Sequence, residues 1–211
     1  MPNREILFLI PTCVEPGGAQ KLVDSISQLL SPENSVRIAS FDPPGSIRYF
    51  NSTIPFYPIG ISIDLPSPFR QLSYLWLVIK LRALKRSLGI EITVSTLWQA
   101  DLVNALSCSK DKRFCLAVIN IINNKTNAKM VKMRFFVSWI YRRLDQILAI
   151  SPGVANEFTT VFGVENKNIS IFSNFLARPD PAPIFSDNVR RFVACSRFVF
   201  EKNIDGLLHV W

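Results

Sequence analysis

Short apolar runs alternate along this chain with longer segments of helical period, and that alternation favours an α/β fold built on a parallel sheet over a sandwich or a bundle. Ile6 to Ile10 reads as a first buried strand, and a loop from Pro11 to Gly17 leads into a helix from Gly18 to Leu30. Ser35 to Phe41 reads as a second strand, closed by the turn Pro43-Pro44-Gly45. Thr53 to Ile59 reads as an edge strand or extended segment, because Pro55 and Pro58 cannot donate to a ladder. Then follow a long helix (Phe69 to Leu88), a strand (Ile92 to Ser95), a helix (Asp101 to Ser107) and a strand (Phe114 to Ile119). A basic, aromatic helix from Ala128 to Leu144, a strand (Gln146 to Ile150), a helix (Pro152 to Phe162) and a strand (Ile169 to Phe172) complete the pattern. With 48% hydrophobic and 19% charged residues among 211, the chain has enough apolar material for a real core.

The pattern breaks at Ala177 to Ser186, where three prolines in ten residues read as a semi-rigid linker. Beyond it, Arg191 to Cys195 reads as a new strand and Asn203 to Trp211 as a new apolar helix. One strand and one helix cannot bury a core of their own. The expected organisation is therefore an N-terminal Rossmann-like domain over residues 1–176, a linker over 177–188, and the start of a second, truncated domain over 189–211.

Several function classes drop out. Cys13, Cys108, Cys115 and Cys195 form no CxxC pair and there is one histidine, so no metal site is expected and four reduced thiols in a cytoplasmic protein are. The run Ile6 to Ile10 is too short for a signal segment, and no stretch reaches the roughly 18 apolar residues of a spanning helix. Lys and Arg number 24 against 16 Asp and Glu, a net charge of +8 that favours anionic partners without choosing among them.

Three segments carry candidate chemistry. Pro16-Gly17-Gly18-Ala19-Gln20 follows a strand and opens a helix, where small residues admit a ligand and free amides favour phosphate. An ordinary strand-to-helix turn would look the same. The third glycine of a dinucleotide fingerprint and the Gly-Lys-Ser/Thr of a P-loop are both missing, which argues against nicotinamide enzymes and NTPases. Ser196 to Asn203 places Arg197 and Lys202 after the new strand, two cations that can converge on a diphosphate or else form a solvated basic loop. Asp145 to Asn174 reads as strand, Ser151 cap, helix, Gly163 stop, strand and polar turn, which is scaffold rather than chemistry.

In combination, the Gly-Gly loop after the first strand, the strand Asp145 to Ser151, the Asn174 turn and Arg197-x4-Lys202 resemble glycosyltransferase family 4. The resemblance spans essentially the whole chain and is weakest from Arg48 to Leu88. It implies the GT-B architecture, two Rossmann-like domains facing across a cleft, the first holding the acceptor and the second most of a nucleotide sugar. It implies transfer of a hexose, with retention, from a nucleoside-diphosphate sugar to a lipid-linked or polysaccharide acceptor. By residue, it sets Gly17 and Gly18 near the cleft phosphates and Arg197 and Lys202 on the departing nucleoside diphosphate. Charge neutralisation would then be the main catalytic term, with no metal or cofactor.

Two departures from the family pattern stand out. Where the family carries a His, the chain reads Ala117 to Asn124 without one, leaving Asn120 as a weak polar substitute; the histidine of this chain is His209. The family's Glu-x7-Glu donor segment would lie beyond Trp211, so the chain alone is expected to be inactive. The segments Phe69 to Leu88 and Lys129 to Arg143 set Lys80, Arg82, Lys85, Arg86, Arg142 and Arg143 beside Trp and Phe, which suits a peripheral position on the inner face of an anionic membrane. Packing of each helix on the sheet explains the same pattern. No nucleic-acid module is recognisable. The alternatives to an enzyme are a non-catalytic acceptor-binding or membrane-docking module, truncated or half of a split transferase, and an inactive remnant.

Overall fold

A computed structural model describes residues 3–50, 52–60, 67–118 and 134–173. Within it, the apolar run Glu5–Ile10 forms β1, whose side chains from Leu7 to Ile10 are almost wholly excluded from solvent. A strand buried on both faces needs neighbours on both sides and helices above and below. Both neighbours are parallel: β2 (Ser35–Ser40), in register Ile6 to Val36, and β4 (Ile92–Thr96), in register Ile6 to Ile92. Beyond them lie β3 (Phe56–Pro58), β5 (Lys112–Ala117), β6 (Gln146–Ala149) and β7 (Ile169–Ile171), giving the order β3-β2-β1-β4-β5-β6-β7. Every pair in that sheet is parallel, which bears out the expected Rossmann-like class.

The step from β1 to β2 runs through α1 (Gly18–Leu30), whose Leu22, Val23 and Ile26 pack on Ile6, Phe8, Val36 and Ile38. The step from β2 to β3 continues the same way, and the steps from β3 onward run the opposite way, through α2 (Ser67–Ser87), α3 (Trp98–Leu106), α4 (Arg134–Tyr141) and α5 (Pro152–Thr160). These four lie on the other face: Leu77 and Leu81 cover Leu7 and Leu9, and Val137, Ile140 and Phe158 cover Cys115, Ala117 and Ile147. Opposite directions over opposite faces is what right-handed crossovers require. Each fully buried aliphatic side chain contributes about 1.5–3 kcal/mol.

The helix boundaries have local causes. Ser151 caps α5 by accepting from the Val154 amide at 3.3 Å, and Gly163, at φ +60, ends the following turn. Gly89, at φ +62, ends α2, with the Ile90 amide reaching back to the Lys85 carbonyl at 2.9 Å. β3 is the short edge strand that Pro55 and Pro58 imply. The third helix begins at Trp98, not at Asp101 as expected, because its N-cap is Leu97, a residue with no capping signature. Lys85, expected among the surface cations, is 1% exposed and held 2.9 Å from Asp111. Among the described residues no helix is long and apolar enough to cross a membrane.

The chain divides into two units, Met1–Asn174 and Phe175–Trp211. The expected linker and the expected strand and helix of a second domain lie outside the described residues.

Candidate functional site

The strand order reverses between β1 and β4, so the loops that follow these two strands diverge and leave a crevice at their carboxyl ends. The loop after β1 is fixed to that edge by Asp42, which is 4% exposed at the end of β2. Its carboxylate accepts from the Thr12 hydroxyl at 2.7 Å and from the Cys13 amide at 2.8 Å. The Pro11 carbonyl accepts from Phe41 and the Cys13 carbonyl from Tyr49. Gly60 closes the same corner: its amide donates to the Asp42 carbonyl, and a Cβ there would sit 1.6 Å from the Phe41 carbonyl oxygen. Cys13 lies in this corner, and burial, reinforced by Asp42, pushes its thiol up to about 12. It is a packing residue and no nucleophile at neutral pH.

Beyond this anchored stretch the loop opens. Gly17 is the N-cap of α1 in extended backbone, with no side chain capping the helix and no acidic residue in its first turn. A Cβ on Gly18 would meet nothing within 4 Å. Neither glycine is held at positive φ, so backbone strain does not explain the pair. What the two glycines leave is a helix start with no side-chain cap, the Gln20 side chain lying against Gly17 without bonding it, with amide donors and the positive end of the helix dipole at the carboxyl edge of the sheet.

On the other side of the crevice stands Leu97, directly after β4, with φ 70 and ψ 142. Among the described residues it is the one non-glycine at positive φ, a conformation costing about 1–3 kcal/mol that surrounding structure must hold in place. The Asp101 amide donates to the Leu97 carbonyl at 3.0 Å. Asp101 is itself buried, its carboxylate accepting from Ser95 at 2.8 Å and from Tyr141 at 3.1 Å. Desolvation raises the Asp101 carboxyl to about 7, against the opposing pull of those hydrogen bonds. The polar chain continues from Ser95 to Asn104 at 3.1 Å and from Asn104 to the Lys85 ammonium at 2.9 Å. Lys85, pushed down to about 8 by burial, ends on Asp111, which also accepts from Thr93 at 2.6 Å. This network braces α2, α3 and α4 against β4 behind the crevice.

Gly17 and Gly18 thus open α1 at the carboxyl edge of the sheet. Asn120, Arg197 and Lys202 lie outside the described residues. Thr12, Asp42 and Leu97 escaped the sequence reading. Asp42 carried a signal, an acid at the end of a strand before Pro43-Pro44-Gly45; Leu97 carried none.

A family model described as Glycosyltransferase Family 4 matches residues 16–177, beginning one residue before the Gly17-Gly18 turn. The chain belongs to glycosyltransferase family 4. A curated member, the amylovoran biosynthesis glycosyltransferase AmsD of Erwinia amylovora, is 27% identical over 217 residues, an alignment covering 98% of this chain and 58% of AmsD. The chain therefore spans less than two thirds of the length of the curated relative it matches. Among solved structures, the lipopolysaccharide outer core galactosyltransferase WaaB in its apo form superposes with a TM-score of 0.65 at 16% identity, over 83% of this chain and 47% of WaaB. HepE of Anabaena, in complex with UDP, superposes with a TM-score of 0.59 at 17% identity, over 82% of this chain and 44% of HepE. At those identities the likeness is one of fold, and these neighbours are GT-B glycosyltransferases. For a family 4 chain, the crevice between the β1 and β4 loops is the natural place to seek the site.

Proposed function

We propose that this chain is the N-terminal, acceptor-side part of a hexosyltransferase that moves a hexose, with retention, from a nucleoside-diphosphate sugar to a lipid-linked or polysaccharide acceptor. The uncapped start of α1 at the switch point supports the reading: Gly17 and Gly18 leave it without a side-chain cap, and Asp42 anchors the preceding loop at Thr12 and Cys13. In this reading the amides of the first turn receive a phosphate of the donor, while Arg197 and Lys202 neutralise the departing diphosphate without a metal. Asn120 supplies a neutral hydrogen bond where the family has His. The relatives support the substrate classes: one is named for amylovoran biosynthesis, one as a lipopolysaccharide galactosyltransferase, and one was solved with UDP. The enzyme works in the cytoplasm on the inner face of the membrane.

The test compares this 211-residue chain with the complete reading frame that contains it, measuring release of nucleoside diphosphate and the anomeric configuration of the product. Turnover by the complete frame with retained configuration, and none by the chain alone, is the expected result. In the complete frame, Gly18→Pro removes one amide while keeping a residue suited to a first helical position, and should lower turnover roughly tenfold. An inverted product, or full turnover with Gly18→Pro, would overturn the reading. A frame that ends at Trp211 and shows no turnover would leave a non-catalytic, membrane-docking module. The exposed Phe135 and Trp139 on α4, with the Arg143 guanidinium 4.1 Å from the Trp139 ring, favour that second reading.

A further inference from the structure

We infer that the concavity beneath the amino ends of β1, β4 and β5 is a second anion site, built for a phosphate group and separate from the crevice at the carboxyl ends. It encloses about 930 Å³, and its walls are the end of α2, the turn into β4 and the turn into β5. Six cations line it: Arg4, Arg82, Lys85, Arg86, Lys110 and Lys112. Two of these are already neutralised, Arg4 by Glu91 at 2.5 Å and Lys85 by Asp111 at 2.9 Å. The other four are exposed, and among the described residues none of them has an acidic partner.

Their arrangement is specific to an oxyanion. Arg82 and Arg86 stand four residues apart on one side of the last turns of α2. They can present two planar guanidinium forks to one phosphate. Lys110 and Lys112 face them from the turn that opens β5. In the segment between α3 and β5, Ser109 and Lys110 make no hydrogen bond among the described residues, so a hydroxyl and two backbone amides remain to bind oxygen. Four unpaired cations around one concavity repel one another, and low-dielectric walls focus their field. The carbonyl end of α2 offsets only about half a charge of that. A bound phosphate relieves the rest. A merely solvated basic face would spread its charge over a convex surface and pair it with acids.

The probe is pyrophosphate, titrated calorimetrically at low ionic strength into the full chain and into three variants with unchanged circular dichroism. Arg82→Gln/Arg86→Gln and Lys110→Gln/Lys112→Gln should each weaken binding by about tenfold or more, the loss of two charge-assisted hydrogen bonds. Gly18→Pro, at the opposite end of the sheet, should leave one binding event per chain intact. Equal binding by wild type and by both double variants would overturn the proposal, and so would loss of all binding with Gly18→Pro. Sedimentation with phosphatidylcholine vesicles containing phosphatidic acid then identifies the source of the phosphate. If pyrophosphate displaces the vesicles and the arginine variant fails to bind them, the ligand is a lipid headgroup. If vesicles do not bind, or bind regardless of both, the ligand is a soluble phosphate ester.

Discussion

Asp101 holds a proton that an exposed aspartate would have lost. Its carboxyl is raised from 3.8 to about 7 by burial, so the folded state binds a proton that the unfolded chain has already released. The stability this provides is fully present below about pH 4 and is lost as pH rises through about 7. Cys115 and Tyr141, which face Asp101, are pushed upward and stay neutral across that window. Asp101→Asn should flatten the decline in melting temperature between pH 5 and pH 8; a variant with the wild-type slope would show that another group titrates. Gly60→Ala should cost about 3 kcal/mol in urea unfolding, since its methyl would have to displace the Phe41 backbone rather than a side chain. What was legible at this scale was local backbone chemistry written in neighbouring residues: the Ser151 cap and the Gly163 stop. Asp42 was not, because its meaning comes from Thr12, thirty positions away. Lys85 was misread for the same reason, its burial depending on Asp111 and Asn104.

The elements themselves were read largely correctly, because a buried parallel strand is a continuous apolar run whose short length and flanking turn residues set it apart from a buried helix. The start of α3 was missed because Leu97 caps it with strain instead of a side chain. Helices α2 and α4 show how far a pattern of basic and aromatic residues can be taken. Among the described side chains of α2 the buried positions are Leu77, Leu81 and Lys85, while Leu75 and Ile79 point out, above Arg82 and Arg86. In α4, Val137 and Ile140 pack inward, leaving Phe135 at 78% and Trp139 at 40% exposure beside Arg142 and Arg143. Two exposed aromatic rings, one of them stacked against the Arg143 guanidinium, suit the boundary between headgroup and acyl chain. Phe135→Glu/Trp139→Glu should abolish sedimentation with phosphatidylglycerol vesicles while leaving the melting temperature within about 2 °C, as surface changes do. Retained sedimentation would remove membrane contact from the account of α4.

At the scale of the molecule, a parallel sheet could be foreseen but its order could not, since order depends on which way each crossover turns. The structure puts β1 at the switch point, between β2 and β4, with its loop at the candidate site. Stability should be distributed accordingly. The amides of β1 and β4 should exchange with solvent most slowly and those of β3 and β7, at the edges, fastest, as measured by native-state hydrogen exchange. Comparable protection at centre and edge would contradict a core built outward from β1.

The position of β1 also has a consequence for how the chain is made. Its first strand is an interior one, yet the register partner of Ile6 on one side is Ile92, so roughly ninety residues must be synthesised before that edge can close. At about 5–20 residues per second, Leu7, Phe8, Leu9 and Ile10 wait several seconds as a half-paired apolar strand. During that interval the nascent chain offers a template to any passing strand, and α1, the earliest element able to shield it, covers only one face. The strand that ends up most hidden in the finished molecule is therefore the one that spends longest needing a chaperone.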